Sequence, residues 1–182
     1  MSDDLQSDSK FLSLVLRHQP EVIGLRLDAQ GWAVVDELVA CAARHGRLLS
    51  RERIERLVVT SDKQRFKLSE DGLRIRANQG HSVAVDLELV PVTPPEYLFH
   101  GTATRFLDSI RTHGLEKRSR QHVHLSPDEA TAIKVGQRHG RPAILKVRAL
   151  AMHHAGVAFY RSENGVWLVA SVPVEYLEFP TE

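Results

Sequence analysis

The spacing of hydrophobic residues changes once along this chain, and that change limits the folds open to it. Up to about residue 60 the apolar residues recur at helical intervals, as they do in the segment 11–16. From Arg65 to Ala77 they alternate instead, and a Glu-Asp-Gly turn at 70–72 divides the alternating run in two. The N-terminal half therefore predicts three helices and a two-stranded hairpin, a winged-helix-like lobe whose hairpin has one basic face.

Capping residues predict where these helices begin and end. Ser9 is a candidate N-cap for the first helix, and Pro20 would end it. We expect the second helix to stop at Gly46 and the third to start at Ser50.

The second half is richer in strands, and the proline-rich segment Pro91–Pro95 is the predicted linker before it. We expect one strand to end at Gly101, and a helix to begin at Ser126 with that serine as N-cap. The elements do not alternate regularly between strand and helix, so the pattern favours an α+β fold over a Rossmann fold. The predicted domains are 1–90 and 91–182.

Composition places the chain among ordinary globular proteins. Its 182 residues, 42% of them hydrophobic, provide enough apolar surface for one large domain or two small ones. No apolar run approaches the roughly 18 residues of a membrane span, and the acidic first residues do not resemble a secretory signal. Cys41 lies in an apolar run and predicts a buried thiol. We expect a cytoplasmic protein with no membrane contact.

The net charge of +1 hides a local separation of charge. Basic residues are concentrated in the segments 44–56, 63–76 and 111–120, whereas the first residues are acidic. Local basic patches matter more for binding phosphate than the total charge does.

In the first half, Arg17, His18 and Arg65 are candidate phosphate ligands. A basic helix end explains the first two equally well when they are considered alone, and a solvated strand explains Arg65. The Gln-Gly-His-Ser segment at 79–82 places a glycine among hydrogen-bonding side chains, which suits either a phosphate or a polar interdomain loop.

In the second half, two similar triplets follow predicted strands: His100-Gly101-Thr102 and His124-Leu125-Ser126. Each alone has an ordinary structural explanation, but two such triplets at successive strand ends favour a ligand cleft. Glycine in the first triplet would permit close approach of the backbone to a ligand. Arg120 precedes the second triplet, and guanidinium is the usual group for bidentate recognition of phosphate.

Other chemistry finds little support in the sequence. The ten histidines show no metal-binding spacing beyond His122-x-His124 and His153-His154, so we expect no metal. There is no Gly-x-Ser-x-Gly motif, no phosphate loop and no Gly-x-Gly-x-x-Gly motif.

Six motifs in order resemble one family, the KptA-type RNA 2′-phosphotransferases. They are KFLSLVLRH at 10–18, KQRF at 63–66, IRANQGHS at 75–82, LFHGT at 98–102, VHLS at 123–126 and SENGVWL at 162–168. The resemblance extends from about Ser9 to Phe179. Any one of these motifs would be weak evidence, but six at compatible spacing are specific.

The resemblance implies an N-terminal winged helix and a C-terminal ADP-ribosyltransferase-like lobe that binds NAD⁺. It implies a catalytic set of Arg17, His18, Arg65 and Arg120. The residues implied to contact NAD⁺ are His100, Gly101, Thr102, His124, Leu125 and Ser126. The glutamate that related ADP-ribosyltransferases often carry on a late strand is replaced here by small or apolar residues in the segment 164–167, and Glu163 is not assigned its role.

The implied reaction has two steps. An internal RNA 2′-phosphate displaces nicotinamide from NAD⁺, and the ribose 2″-hydroxyl then attacks phosphorus. The products are 2′-hydroxyl RNA and ADP-ribose 1″,2″-cyclic phosphate. The implied partners are a tRNA-like 2′-phosphorylated RNA, of the kind formed in tRNA splicing, and NAD⁺, bound by a monomer.

Two alternatives stay open at this point. One is an ADP-ribosyltransferase that stops after the first step. The other is a winged-helix regulator that senses NAD⁺ or ADP-ribose and reads nucleic acid through the arginines of the third helix, Arg51, Arg53 and Arg56.

Overall fold

A computed structural model describes residues 3–61 and 63–180 of the chain. These residues form two compact units, one ending at Glu88 and the other beginning at Leu89. Each unit has its own hydrophobic core. The assignment of phosphate binding to the domain 1–90 and of NAD⁺ binding to 91–182 stays a prediction.

The first unit contains three helices and a small antiparallel sheet. The helices are α1 (Asp3–Arg17), α2 (Val35–Arg44) and α3 (Arg51–Thr60). The strands are β1 (Ala33–Val34), β2 (Phe66–Leu68) and β3 (Arg74–Ala77), in the order β1-β3-β2. A single 3-10 turn, Pro20–Ile23, follows α1.

Strand alternation gives this sheet two different faces. Phe66, Ile75 and Ala77 face inwards and are buried against the three helices. Lys67 and Arg76 are paired across β2 and β3, and they lie on the other face with Arg74. The basic face expected of the hairpin is therefore the face turned away from this unit's core.

Three local expectations for the first unit meet different outcomes. Ser50 caps α3 by accepting a hydrogen bond from the Arg53 amide, as predicted. The expected N-cap at Ser9 is wrong, because α1 begins at Asp3 and Ser9 is 3% exposed inside the helix. The first turn of α1 is polar and has no hydrophobic period, so the sequence pattern did not reveal it. Its acidic residues nevertheless stabilise a helix N-terminus. The hairpin also gains a third strand, β1, which pairs with β3.

The second unit consists of short antiparallel strands and three helices. Its helices are α4 (Leu107–His113), α5 (Glu129–Gly136) and α6 (Ala149–His154). Its strands are β4 (Leu98–Ala103), β5 (Leu115–Glu116), β6 (Val123–Leu125), β7 (Pro142–Val147), β8 (Tyr160–Arg161), β9 (Trp167–Val169), β10 (Ser171–Val172) and β11 (Leu177–Glu178). They form sheets in the orders β11-β7-β4, β6-β9-β8 and β10-β5. The α+β class is confirmed.

Three boundaries in this unit differ from expectation. Strand β4 does not end at Gly101 but continues through Thr102 to Ala103, because each of these residues pairs with β7. Helix α5 is capped by Asp128, which accepts from the Thr131 amide, and not by Ser126, whose backbone pairs with Phe99 instead. The proposed linker begins within this unit, since the Val92 amide donates to the Phe159 carbonyl.

None of the helices built from the described residues is long and apolar enough to cross a membrane.

Candidate active site

The end of α1 is held by the segment that follows β3. The Ser82 amide donates to the Arg17 carbonyl at 2.9 Å, and the Ser82 hydroxyl lies 2.9 Å from His18 Nδ1. That hydroxyl also lies 3.4 Å from the Arg17 carbonyl, which only accepts. A hydroxyl that donates to this carbonyl accepts from His18 Nδ1–H. Arg17 and His18 therefore lie against the segment 79–82 within the first unit, a contact that the sequence analysis did not predict.

Arg65 is held against the same helix, α1, at two points. Its Nη1 donates to Ser9 Oγ at 3.1 Å, and its carbonyl accepts from Arg17 Nη2 at 3.3 Å. The Arg17 guanidinium also lies over the Phe66 ring, 5.5 Å from its centroid. Gly80 has φ of +86°, and a Cβ there would stand 3.7 Å from Arg17 Nη1. These hydrogen bonds join Arg17, His18 and Arg65, which we call the basic cluster, and Gly80 lies close to the Arg17 guanidinium.

His81 belongs to the segment 79–82, which the sequence analysis noted for its hydrogen-bonding side chains, but the structure buries it. Its ring is 1% exposed, and among the described residues neither ring nitrogen has a hydrogen-bond partner. Burial, followed by repulsion from Arg17, His18 and Arg76, lowers its pKa to about 4. The ring is therefore neutral at pH 7 and adds no charge to the basic cluster.

The buried ring predicts a specific loss of stability in acid. An unfolded histidine has a pKa near 6.5, so between pH 6.5 and about 4 the unfolded chain takes up a proton that folded His81 does not. Stability falls as the pH falls through this window. We expect this one ring to account for about 2 kcal/mol of the loss between pH 7.5 and pH 5.

The measurement is urea denaturation of the wild type and His81→Leu at both pH values. The variant is expected to lose about 2 kcal/mol less than the wild type between pH 7.5 and pH 5. Equal losses in the two proteins would contradict the buried neutral state. Other histidines titrate in both proteins, so the difference isolates His81.

The two triplets of the second unit lie side by side. The backbones of Phe99 and Ser126 exchange hydrogen bonds of 2.9 and 2.7 Å, which joins β4 to the end of β6. His100 Nδ1 lies 3.0 Å from the His124 carbonyl. The sequence-based expectation that these triplets lie close together is met within this unit.

This contact fixes the tautomer of His100. A carbonyl only accepts, so Nδ1 carries the proton, and Nε2 of the neutral ring is an acceptor. Desolvation is the main cause that lowers the pKa of His100; His139, Arg118 and Arg120 lower it further, and the bond to the His124 carbonyl opposes the shift. The ring is therefore neutral at pH 7 and suited to accept from a ligand hydroxyl.

Arg120 is positioned by the second triplet. Its Nη1 lies 3.2 Å from His124 Nδ1, and because guanidinium only donates, that nitrogen is the acceptor. Arg120 belongs to the second unit, and its joint action with Arg17, His18 and Arg65 stays a prediction.

A cavity of about 320 Å³ opens beside both triplets. His100, Gly101, Thr102, Arg120 and His124 line it, whereas Leu125 and Ser126 are not among its lining residues. Sequence reasoning missed several of the other lining residues, among them Phe106, Ser109, Ile110, His113, Arg118 and His139. Three of them lie on α4, two in the 3-10 turns Thr104–Phe106 and Gln137–His139, and Arg118 in a loop. The basic segment 111–120 includes His113 and Arg118, and no sequence signal pointed to the other four. Lys117, Arg118 and Arg120 outnumber Glu116 in the lining, so the cavity wall is positive.

Gly101 is required for packing. A Cβ at this position would lie 1.8 Å from the Ala132 carbonyl oxygen and 2.9 Å from the Gly136 amide nitrogen. A Cβ on Gly136 would lie 2.6 Å from the Thr102 carbonyl oxygen. The two glycines allow α5 to lie directly on β4, so the missing side chain of Gly101 faces a helix. The sequence analysis had instead interpreted Gly101 as a residue that permits close approach of the backbone to a ligand.

Metal ligands are not grouped in the parts of the chain that the structure describes: no cluster of three or more histidine, cysteine, aspartate or glutamate side chains is placed to hold an ion.

Comparison with known proteins identifies the family. The model of the RNA 2′-phosphotransferase, Tpt1 / KptA family matches residues 3–171. The chain belongs to this family. It is therefore an enzyme of the transferase class, as the resemblance of its motifs predicted.

Curated relatives match this chain along nearly its whole length. A protein of Rhodopirellula baltica is 61% identical over 178 residues, 97% of each chain. One of Pectobacterium carotovorum is 59% identical over 180 residues, 98% of this chain and 97% of the relative. One of Escherichia coli is 53% identical over 177 residues, 97% of this chain and 96% of the relative. All three carry the name "Probable RNA 2′-phosphotransferase".

Proposed function

We propose that this protein is an NAD⁺-dependent RNA 2′-phosphotransferase. It transfers an internal RNA 2′-phosphate to the ADP-ribose part of NAD⁺, through an ADP-ribosylated RNA 2′-phosphate. The products are 2′-hydroxyl RNA, ADP-ribose 1″,2″-cyclic phosphate and nicotinamide. The observation that carries the proposal is the positively lined cavity beside the two joined triplets, in a chain whose family acts on RNA 2′-phosphates.

The first unit supplies the groups that bind the RNA phosphate. The hydroxyls of Ser9 and Ser82, the Arg65 carbonyl and the Phe66 ring contact Arg17, His18 and Arg65 and fix their positions in this unit. Guanidinium groups are suited to the oxygen atoms of a phosphate.

The second unit supplies a site that suits NAD⁺. Lys117 and Arg118 in the wall of its cavity match a diphosphate, and an aromatic ring and aliphatic side chains lie near the same wall. The acceptor Nε2 of neutral His100 matches a ribose hydroxyl. We also propose that the first unit is a winged helix and the second an ADP-ribosyltransferase-like lobe. Three helices with a three-stranded antiparallel sheet, and small antiparallel sheets around the cavity, support these two assignments.

The proposed residues match the charge changes of the two steps. A phosphate nucleophile is already an anion, so the first step needs orientation and charge neutralisation and no general base. A carboxylate at this position would repel it, which explains physically why the late glutamate of related enzymes is dispensable. In the second step the ribose 2″-hydroxyl loses its proton and its oxygen bonds to phosphorus. The bond to the RNA 2′-oxygen breaks and that oxygen gains a proton, so the step has no net proton change. Arg17, Arg65 and Arg120 would stabilise the charge on the phosphoryl oxygens, and His18 would donate the proton or a cationic hydrogen bond.

We expect turnover to require NAD⁺ and no added metal. The purified protein is incubated with an oligonucleotide carrying one internal 2′-phosphate, with NAD⁺, without NAD⁺, and with NAD⁺ plus EDTA. Conversion to the 2′-hydroxyl is expected in the first and third reactions and not in the second. Full activity without NAD⁺, or loss of activity with EDTA, would contradict the proposal. Arrest at an ADP-ribosylated RNA would instead support a transferase that stops after the first step.

A further inference from the structure

One wall of the cavity in the second unit is formed by α4 and not by the two triplets. Four residues line this wall at intervals of three and four positions, which places them on one side of a helix: Phe106, Ser109, Ile110 and His113. We call this side the α4 face. Phe106 and Ile110 present an apolar surface, and Ser109 and His113 are exposed polar groups beside it. The α4 face therefore combines an apolar surface with a hydroxyl and an imidazole.

A hydrogen bond within the helix fixes the tautomer of His113. Its Nδ1 atom lies 3.0 Å from the Ser109 carbonyl, one turn back. Because a carbonyl only accepts, Nδ1 carries the proton, and Nε2 of the neutral ring is an acceptor. Nε2 is the ring nitrogen farther from the backbone, so it is the one that remains for a ligand. The α4 face therefore selects a ligand that donates an N–H group.

The backbone directly after His113 is closely packed. Gly114 has φ of +74°, and a Cβ there would lie 2.2 Å from the Val172 carbonyl oxygen. Only glycine allows α4 to end so close to β10. His113 is therefore presented to the cavity from a helix end whose position is set by packing.

NAD⁺ contains two planar ring systems, and the charge near the α4 face distinguishes between them. The Arg118 Cζ atom lies 5.4 Å from the centroid of the Phe106 ring. Arg118 and Lys117 line the same cavity, and Glu116 is the one carboxylate among its lining residues. The nicotinamide ring of NAD⁺ is a cation and is repelled here, whereas adenine is neutral and stacks on aromatic rings and guanidinium planes.

The proposed reaction gives the same orientation of the dinucleotide. The RNA phosphate displaces nicotinamide, so the nicotinamide end must lie where Arg120 meets that phosphate. Arg120 is hydrogen-bonded to His124 of the second triplet and so belongs to the triplet wall. The adenine end is then left to another wall of the cavity, and the α4 face provides one.

We propose that the α4 face binds the adenine base of NAD⁺ and that His113 determines the specificity for adenine. The 6-amino group of adenine donates to His113 Nε2, and the base contacts Phe106 and Ile110. Hypoxanthine has a carbonyl oxygen at position 6, which would face Nε2 as a second acceptor. This assignment rests on the proposed function, which supplies NAD⁺ as the ligand.

Isothermal titration calorimetry at pH 8, where imidazole is neutral, measures ligand binding without RNA and without turnover. The ligands are NAD⁺, nicotinamide hypoxanthine dinucleotide, and ADP-ribose, which contains adenine and lacks nicotinamide. The proteins are the wild type, His113→Asn, His113→Gln and Thr112→Val. His113→Asn keeps a donor for the Ser109 carbonyl but loses the acceptor at Nε2, whereas His113→Gln places an amide oxygen within reach of the Nε2 position.

Thr112→Val is the control for disturbance of the helix end. The Thr112 hydroxyl donates to the Asp108 carbonyl at 3.1 Å, which repeats the arrangement of His113 one residue earlier. Thr112 is not among the lining residues of the cavity. Its variant therefore alters the same turn of α4 and leaves the α4 face intact.

The wild type is expected to bind NAD⁺ about tenfold more tightly than the hypoxanthine dinucleotide, because the analogue loses one hydrogen bond and leaves an acceptor unpaired. His113→Asn is expected to weaken the binding of NAD⁺ and of ADP-ribose by the same factor, about five to ten, and to abolish the preference for adenine. His113→Gln is expected to retain a preference of about fivefold. Thr112→Val is expected to match the wild type.

Equal affinity of the wild type for the two dinucleotides would overturn the proposal, as would an equal loss in Thr112→Val. If His113→Asn weakens NAD⁺ binding but not ADP-ribose binding, the α4 face holds nicotinamide and the proposal is wrong. Thermal melting of each variant checks folding.

Turnover of a 2′-phosphorylated RNA separates this proposal from the proposed function. A wild type that prefers adenine through His113 but never converts the RNA would refute the proposed function and support the α4 face. A wild type that converts the RNA equally well with both dinucleotides, and binds them equally, would support the proposed function and refute the role of His113.

Discussion

Replacing Arg65 or Arg120 by alanine is expected to slow the second chemical step by about 10²–10³-fold and to leave NAD⁺ affinity nearly unchanged. Charge moves onto the phosphoryl oxygens in that step, and stabilisation present only in its transition state appears as lost rate. The rate of the first step is expected to fall less, because its phosphate nucleophile is already charged before it reacts. An RNA that carries an ADP-ribosylated 2′-phosphate should therefore accumulate in both variants.

A gel time course with 5′-labelled RNA measures substrate, intermediate and product in one reaction. Ser9→Ala is the matched control for Arg65, because it removes the hydroxyl that accepts from Arg65 Nη1 and retains the guanidinium. We expect a smaller loss of rate in Ser9→Ala than in Arg65→Ala. His100→Ala should weaken NAD⁺ binding without accumulation of the ADP-ribosylated intermediate. If substrate and product decline in parallel with no intermediate band, the arginines do not act in the second step.

Gly101→Ala is expected to unfold the second unit or to destabilise it by at least about 3 kcal/mol. Overpacking a core usually costs about 1–3 kcal/mol, and here the obstacle is a carbonyl oxygen only 1.8 Å from the new Cβ. Neither that carbonyl nor the strand moves unless α5 separates from β4. Thermal denaturation should show a melting temperature lowered by roughly 10 °C or more.

Gly156→Ala is the matched control for this prediction. Gly156 has φ of +93°, but a Cβ there would have no atom within 4 Å, so only backbone strain of about 1 kcal/mol is expected. Similar melting temperatures for the two variants would show that the contact between α5 and β4 does not require glycine.

The sequence predicted those local features whose signals are themselves local. The cap of α3 could be predicted because the Ser50 hydroxyl and the Arg53 amide that donates to it are only three residues apart. The hairpin was also predicted from local signals, because apolar and polar residues alternate in its two strands and the strands directly flank the turn at 70–72. Strand β1 was missed because two residues carry no measurable period, and their pairing with β3 is set by tertiary contacts.

The errors came from residues whose partners are distant in sequence. Gly101 was interpreted as the end of a strand, whereas the structure uses it inside β4 to admit α5. Ser9 was interpreted as a cap, whereas it lies inside α1 and accepts from Arg65, 56 positions away. The motif order identified the candidate residues and the family. It gave no indication that His81 is buried, because burial depends on the packed fold.

The fate of the phosphorus atom tests the central claim most directly. An RNA whose 2′-phosphate is labelled with ³²P is incubated with the protein and unlabelled NAD⁺, and the labelled products are separated by thin-layer chromatography. The account predicts that the label moves to ADP-ribose 1″,2″-cyclic phosphate, with none released as inorganic phosphate. Label released as inorganic phosphate, or label that leaves the RNA when NAD⁺ is omitted, would contradict it.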